Sequence, residues 1–174
     1  MKSLKYIDET DRCYGAAGMA IGLVAFDGED FMVSLSIDRD PGDMMEMSSD
    51  FYFSGNPEIS AKSAWNRIVN NFNLSIVMLI SNVLCRNIIH GKLVVDRKLH
   101  DEILDLAKEE GNSVCGLDAD ETERLFDKDF SYLNRLFTHY GVRSVADDFV
   151  SVLSSRRSMS RMEILDRLQS LNML

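Results

Sequence analysis

One long apolar segment, residues 60–89, constrains the fold of this 174-residue chain more than any other feature. Ser60 can start a helix by accepting a hydrogen bond from a first-turn amide, and Asn56 followed by Pro57 is an equally good start. Gly91 can supply a left-handed stop. Because the middle of the segment is apolar on every side, the sequence predicts a helix at the centre of the core.

The residues before this helix have the pattern of β-strands. Apolar and polar side chains alternate in 31–38 and again in 45–53, which is the period of a strand with one buried face. Turn signals at 27–30 (DGED) and 40–43 (DPGD) separate these segments. With 19–25 as a first strand, they predict a three-stranded antiparallel meander. The side chains expected on its buried face are Met19, Ile21, Leu23 and Ala25, then Phe31, Val33, Leu35 and Ile37, then Met45, Met47, Phe51 and Phe53.

Three glycines, Gly15, Gly18 and Gly22, lie in and just before the first predicted strand. Their spacing, G-x-x-G-x-x-x-G, matches neither a dinucleotide-binding fingerprint nor a P-loop, and no helix start follows them to complete a phosphate site. Glycine within a strand often marks the close approach of another backbone. We therefore expect a bare sheet face that another segment or a second subunit covers.

Shorter helices are predicted after the long one. Their expected starts are Asp96, Asp118 with Glu121, Ser144, and Ser160 with Glu163. The pairs at 118 and 160 have the spacing of capping boxes. The predicted fold class is α+β, with a short antiparallel β-meander of about three strands in 1–55 packed on a mainly helical bundle in 56–174 that contains the long central helix. All of 1–174 is expected to form a single domain.

Composition restricts the classes of partner. The net charge of −9 opposes binding to nucleic acid and to an anionic membrane surface. Three cysteines without C-x-x-C spacing indicate neither a disulfide framework nor a zinc site, and the N-terminus lacks the pattern of a secretory signal. These features favour a cytoplasmic protein. The basic residues Arg156, Arg157, Arg161 and Arg167 could pair with acidic surface on the same chain or on a second copy.

No catalytic constellation is recognisable, so catalytic residues stay unassigned, and no metal or cofactor is predicted. Cys85 and His90 would point about 140° apart on one straight helix, which favours Cys85 as a small buried residue. Cys115, in a glycine-flanked loop, is the better candidate for a reactive thiol. Trp65 lies at helical spacing among apolar residues and is expected in the core.

Two polar stripes mark the long helix. Asn66, Asn70 and Asn73 share one side, whereas Asn82, Arg86 and His90 recur every fourth residue nearly opposite. The second stripe is the candidate ligand-binding set.

Two functional hypotheses follow. The favoured one is a non-enzymatic interaction module that self-associates, as a dimer, through a small-residue face, ten methionines and complementary charge. The alternative is a small-molecule-binding protein or hydrolase-like enzyme with a pocket between the sheet and the long helix.

Overall fold

The computed structural model describes residues 5–52 and 60–173, which form seven α-helices and a small antiparallel sheet of three strands. The helices are α1 (Glu9–Ala25), α2 (Ser49–Tyr52), α3 (Ala61–Leu84), α4 (Arg97–Glu110), α5 (Ala119–Thr138), α6 (Tyr140–Arg156) and α7 (Arg161–Leu168). The strands are β1 (Met32–Ser36), β2 (Met45–Met47) and β3 (Ser158–Ser160). The predicted α+β class, the three-stranded antiparallel sheet and the long central helix are confirmed.

The central helix begins where the sequence predicts. The hydroxyl of Ser60 accepts a hydrogen bond from the amide of Ser63, whereas the alternative start at Asn56 and Pro57 lies outside the described residues. Beyond Leu84 the helix continues as a π-helical turn, Cys85–His90. The left-handed residue that follows is Lys92, at φ 52°, and not Gly91.

The first predicted strand is wrong, because this segment forms helix α1. Asp8 caps the helix, and Gly15, Gly18 and Gly22 recur at intervals of three and four residues, which places them on one helical face. That face packs directly on α3. A Cβ atom added to Gly18 would lie 2.3 Å from the carbonyl oxygen of Ser81, and one added to Gly22 would lie 2.1 Å from the Ser81 hydroxyl. The glycines therefore let two helix backbones approach closely, and α3 covers the face that was expected to be bare.

The strand that replaces it comes from the other end of the chain. The sheet order is β2-β1-β3, and Leu35 of β1 lies opposite Met159 of β3 and opposite Met45 of β2. The buried face of β1 also differs from the prediction, since Val33 is 43% exposed while Met32 is buried. An irregular register between Met32 and Ser34 shifts the alternation at this point.

In the third predicted strand, Met45 and Met47 are buried and Glu46 is exposed, as the alternation predicts. Phe51 belongs to helix α2 and not to a strand. Phe53 lies outside the described residues. Half of this predicted strand is therefore correct, and the strand ends at Met47.

Most of the shorter helices begin at the predicted capping residues. Asp96 caps α4, and both predicted capping boxes are formed, at the starts of α5 and α7. The predicted start at Ser144 is wrong. Helix α6 begins at Tyr140, where the His139 side chain accepts a hydrogen bond from the amide of Gly141.

The second half of the long helix is largely buried within the fold, whereas most of its first half is exposed or half-buried. Its Lys62–His90 portion is long enough and apolar enough to cross a membrane, but 61% of its most hydrophobic window is buried inside the structure. This is the arrangement of a core helix in a soluble globular domain. The prediction that Trp65 lies in the core is wrong. Trp65 lies near the start of α3, and its residue surface is 45% exposed.

Candidate functional site

The three residues of the predicted ligand-binding stripe lie in different environments. Asn82 and Arg86 are buried beneath α1, whereas His90 is exposed. Helix α1 packs on this side of α3 because its glycines leave space there. The stripe therefore faces another helix along most of its length, and its three side chains do not converge on one cavity.

Arg86 forms a buried ion pair with Asp11 of α1. Its Nε and Nη2 atoms lie 2.9 and 2.7 Å from the two carboxylate oxygens of Asp11, and Nη2 also donates to the carbonyl of Lys5 at 2.7 Å. Burial alone would raise the pKa of Asp11, but hydrogen bonds from Arg86 and from the amide of Ile7 outweigh it and lower that pKa below its usual value. Asp11 is therefore ionised at neutral pH, and the buried charge of Arg86 is matched.

Tyr6 joins this pair to Asn82. The guanidinium carbon of Arg86 lies 4.6 Å from the centre of the Tyr6 ring, and the Asn82 amide donates to the Tyr6 hydroxyl at 2.7 Å. Burial raises the pKa of Tyr6, so the phenol stays neutral. Its oxygen accepts from Asn82, and its hydrogen can be donated to a further acceptor, since no bond from it to another described residue is seen.

His90 belongs to a separate contact at the end of the helix. Its ring stacks on Tyr14 with the ring centres 4.6 Å apart. The Tyr14 hydroxyl donates to Asp147 at 2.8 Å, and burial together with this carboxylate raises the pKa of Tyr14 to about 12. This contact links α3, α1 and α6.

A methionine-lined pocket of about 510 Å³ lies between β2 and α3, and Tyr6 and Asn82 form part of its wall. The apolar lining includes Met19, Met45, Met47, Phe51, Met78, Leu79 and Val83. Small-molecule sites in proteins commonly measure about 300–1,000 Å³ and combine an apolar lining with a few convergent polar groups. The pocket meets both criteria, and we refer to it as the methionine pocket.

The charges around the methionine pocket disfavour an anionic ligand. Its hydrogen-bonding groups, Tyr6 and Asn82, are uncharged, and the nearby charge of Arg86 is balanced by Asp11. Glu110 also lines the pocket and opposes an anion. Because the Tyr6 hydroxyl is a donor, the chemistry suits a molecule with an apolar body and a carbonyl or similar acceptor.

The three cysteines are buried. Desolvation raises the pKa of Cys13, of Cys85 and of Cys115, which disfavours the reactive thiolate at neutral pH. The prediction that Cys85 is a small buried residue is confirmed. The structure does not favour Cys115 as a reactive thiol, because its residue surface is 2% exposed, and burial and the charge of Glu110 both raise its pKa.

Sequence reasoning found Asn82 but missed Tyr6 and the methionine lining. The ten methionines of the sequence indicated an adaptable apolar surface, whereas the position of Tyr6 depends on the packing of α1.

Within residues 5–52 and 60–173, no group of three histidine, cysteine or acidic side chains could hold a metal ion. Comparisons of the chain with protein-family models, curated proteins and solved structures find no match.

Proposed function

We propose that this protein is a non-enzymatic cytoplasmic binding module whose methionine pocket holds a small, neutral and mainly apolar molecule. The observation that carries the proposal is the convergence of Met19, Met45, Met47 and Met78 on one cavity that ends at the Tyr6–Asn82 pair. This develops the hypothesis of a pocket between the sheet and the long helix.

The lining chemistry supports binding over catalysis. Methionine side chains are unbranched and polarisable, so they adapt to apolar ligands of different shape. The polar pair consists of an amide and a phenol whose pKa is raised by burial. Neither group is a strong nucleophile or base at neutral pH, whereas both can orient a ligand through hydrogen bonds.

Self-association as a dimer remains a prediction. Two features that suggested it, the glycine face and the C-terminal arginines, make contacts within the chain. Helix α3 covers the glycine face of α1. Arg157 pairs with Glu9 and Asp38, and Arg161 pairs with Asp30 at 2.5 Å. Dimerisation would therefore depend on other surfaces, such as the exposed side chains of Val94 and Tyr140.

Calorimetric titration with octanamide tests the binding proposal. At about 0.4 kcal/mol per non-hydrogen atom, this neutral acyl amide should bind with a Kd of about 1 mM or lower. Replacing Tyr6 with Phe should weaken binding about threefold to tenfold, because one hydrogen bond is lost.

A cavity-filling variant makes the test specific to the pocket. Met78→Trp should abolish octanamide binding, and Met162→Trp, at an exposed position of α7, should leave it unchanged. Thermal unfolding of each variant checks that it folds. Equal affinities for the folded Met78→Trp protein and the wild type would contradict the proposal, as would no heat of binding to the wild type at millimolar octanamide.

A further inference from the structure

We propose a second binding site, for a neutral polyhydroxylated molecule of the sugar class, in an asparagine-lined cavity beside the first half of α3. The cavity has a volume of about 560 Å³ and lies between α3 and the turn that joins α1 to β1. The residues that line it are different from those of the methionine pocket. This inference is independent of the function proposed above.

A row of side-chain amides forms one wall. Asn66, Asn70 and Asn73 lie four and three residues apart, which places them on one face of α3 with neighbours about 5–6 Å apart. Each amide carries an acceptor oxygen and two N–H donors. A sugar hydroxyl also donates and accepts, so a row of amides can bond to several hydroxyls of one ring. Carboxylates or guanidiniums alone would offer acceptors or donors but not both.

One of these amides, that of Asn73, bonds to the carboxylate of Asp129 but has an unpaired oxygen. The Oδ1 atom of Asn73 is buried and accepts no hydrogen bond from the described residues. The neighbouring carboxyl of Asp129 has a pKa raised to about 6 by burial, and one of its oxygens is likewise buried without a partner among the described residues. Leaving a buried acceptor unpaired costs about 1–3 kcal/mol. A ligand hydroxyl could donate to the Asn73 oxygen only if the Asn73 side chain turned toward the cavity, because the Oδ1 atom is buried.

Two aromatic rings contribute an apolar surface to the same cavity. Phe26 and Phe31 line it from the α1–β1 turn. Each ring is held edge to face by a neighbour, Phe26 by Tyr132 at 5.4 Å and Phe31 by Phe51 at 5.7 Å. Ring faces carry negative potential and attract polarised C–H groups, which a sugar ring presents on its apolar side. Amide hydrogen bonds and ring contacts together match the two kinds of surface on a sugar.

The charges around the cavity favour a neutral ligand. Asp27 and Arg67 both line it and carry opposite charges. Asp27 has a left-handed backbone, φ 54°, directly after the C-cap of α1, where this conformation commonly ends a helix. An anionic or cationic ligand would gain from one of these side chains and be repelled by the other.

NMR titration of the 174-residue protein tests the proposal through the side-chain amide signals of Asn66, Asn70 and Asn73. The probes are D-glucose, D-galactose, N-acetylglucosamine and maltose, with adenosine as a ligand of different chemistry. We expect saturable shifts of these signals with at least one sugar. No shift with any sugar would overturn the proposal, and shifts with adenosine alone would overturn the ligand class.

Matched variants locate the binding. Asn70 is exposed, so Asn70→Ala should fold and should weaken sugar binding about tenfold through lost hydrogen bonds. Asn112→Ala removes an exposed asparagine that does not line the cavity and should leave the affinity unchanged. Equal affinities of the two variants for the sugar would show that binding occurs elsewhere.

Discussion

The Nη2 atom of Arg86 lies 2.7 Å from Oδ2 of Asp11, and both side chains are buried where α1 packs on α3. The pair joins residues 75 positions apart in the sequence. It holds Arg86 beneath the ring of Tyr6, which in turn lines the methionine pocket. The ion pair thus connects the packing of the two helices to the polar end of the candidate site.

Replacing Asp11 with Ala should destabilise the protein by about 3–5 kcal/mol, because it leaves the guanidinium of Arg86 buried and without its carboxylate partner. Urea unfolding measures this loss. The matched control is Asp101→Ala, which removes an exposed carboxylate 3.9 Å from Arg97 and 3.2 Å from His100 and should cost less than about 1 kcal/mol. Similar losses for the two variants would refute a special role of the buried pair.

Replacing Gly18 with Ala should destabilise the protein by about 1–3 kcal/mol or more, because the added methyl group collides with the Ser81 backbone. Gly42→Ala is the control, since a Cβ atom at that position meets nothing within 4 Å. Thermal unfolding of both variants provides the comparison. A Gly18→Ala protein as stable as the wild type would be inconsistent with close contact between α1 and α3.

Asp129 should make stability fall as the pH rises from about 4 to 6. Burial raises the pKa of this carboxyl to about 6 in the folded chain, whereas the unfolded chain loses the proton near pH 4. Between these values the folded state binds more protons, so raising the pH favours unfolding. At pH 7 the ionised group costs about 3 kcal/mol.

Asp129→Asn should therefore stabilise the protein at pH 7 and have little effect at pH 4. Its amide would also place a donor near the unpaired oxygen of Asn73. Asp148→Asn, at an exposed position of α6, should change stability little at either pH. Denaturant unfolding at the two pH values provides the comparison. A loss of stability for Asp129→Asn at pH 7 would show that the ionised carboxylate is favourable in the fold.

Self-association predicts a dimer in solution, and light scattering at tens of micromolar measures the mass directly. A dimer has twice the 19.7 kDa mass of the chain. If the exposed apolar residues of the interface include Tyr140, Tyr140→Asp should shift the protein toward monomer. A wild-type monomer at this concentration would contradict the self-association prediction without bearing on the methionine pocket.

Helix α1 shows why the alternation of apolar residues led to a wrong prediction of a strand. The alternation of Met19, Ile21 and Leu23 fits a strand, but so short a stretch also fits one side of a buried helix. The spacing of Gly15, Gly18 and Gly22 by three and four residues was the better guide, together with the capping residue Asp8. Capping pairs elsewhere were read correctly because their signal is complete within four residues.

The remaining differences involve contacts between distant segments. Strand β3 is three residues long and pairs with β1 more than 100 residues away, so periodicity could not reveal it. The stripe of Asn82 and Arg86 was visible, but its partners Tyr6 and Asp11 depend on the packing of α1. The methionine pocket likewise needs α1, β2 and α3 in place before its lining converges.

The most direct measurement of the proposed function is methyl NMR of the methionines during titration with octanamide. The methyl signals of Met45, Met47 and Met78 should shift in a saturable way, because these side chains line the pocket. The signal of Met162, which is exposed on α7, should stay in place. Pocket signals that do not move at millimolar octanamide, or a Met162 signal that moves equally, would contradict a ligand site between β2 and α3.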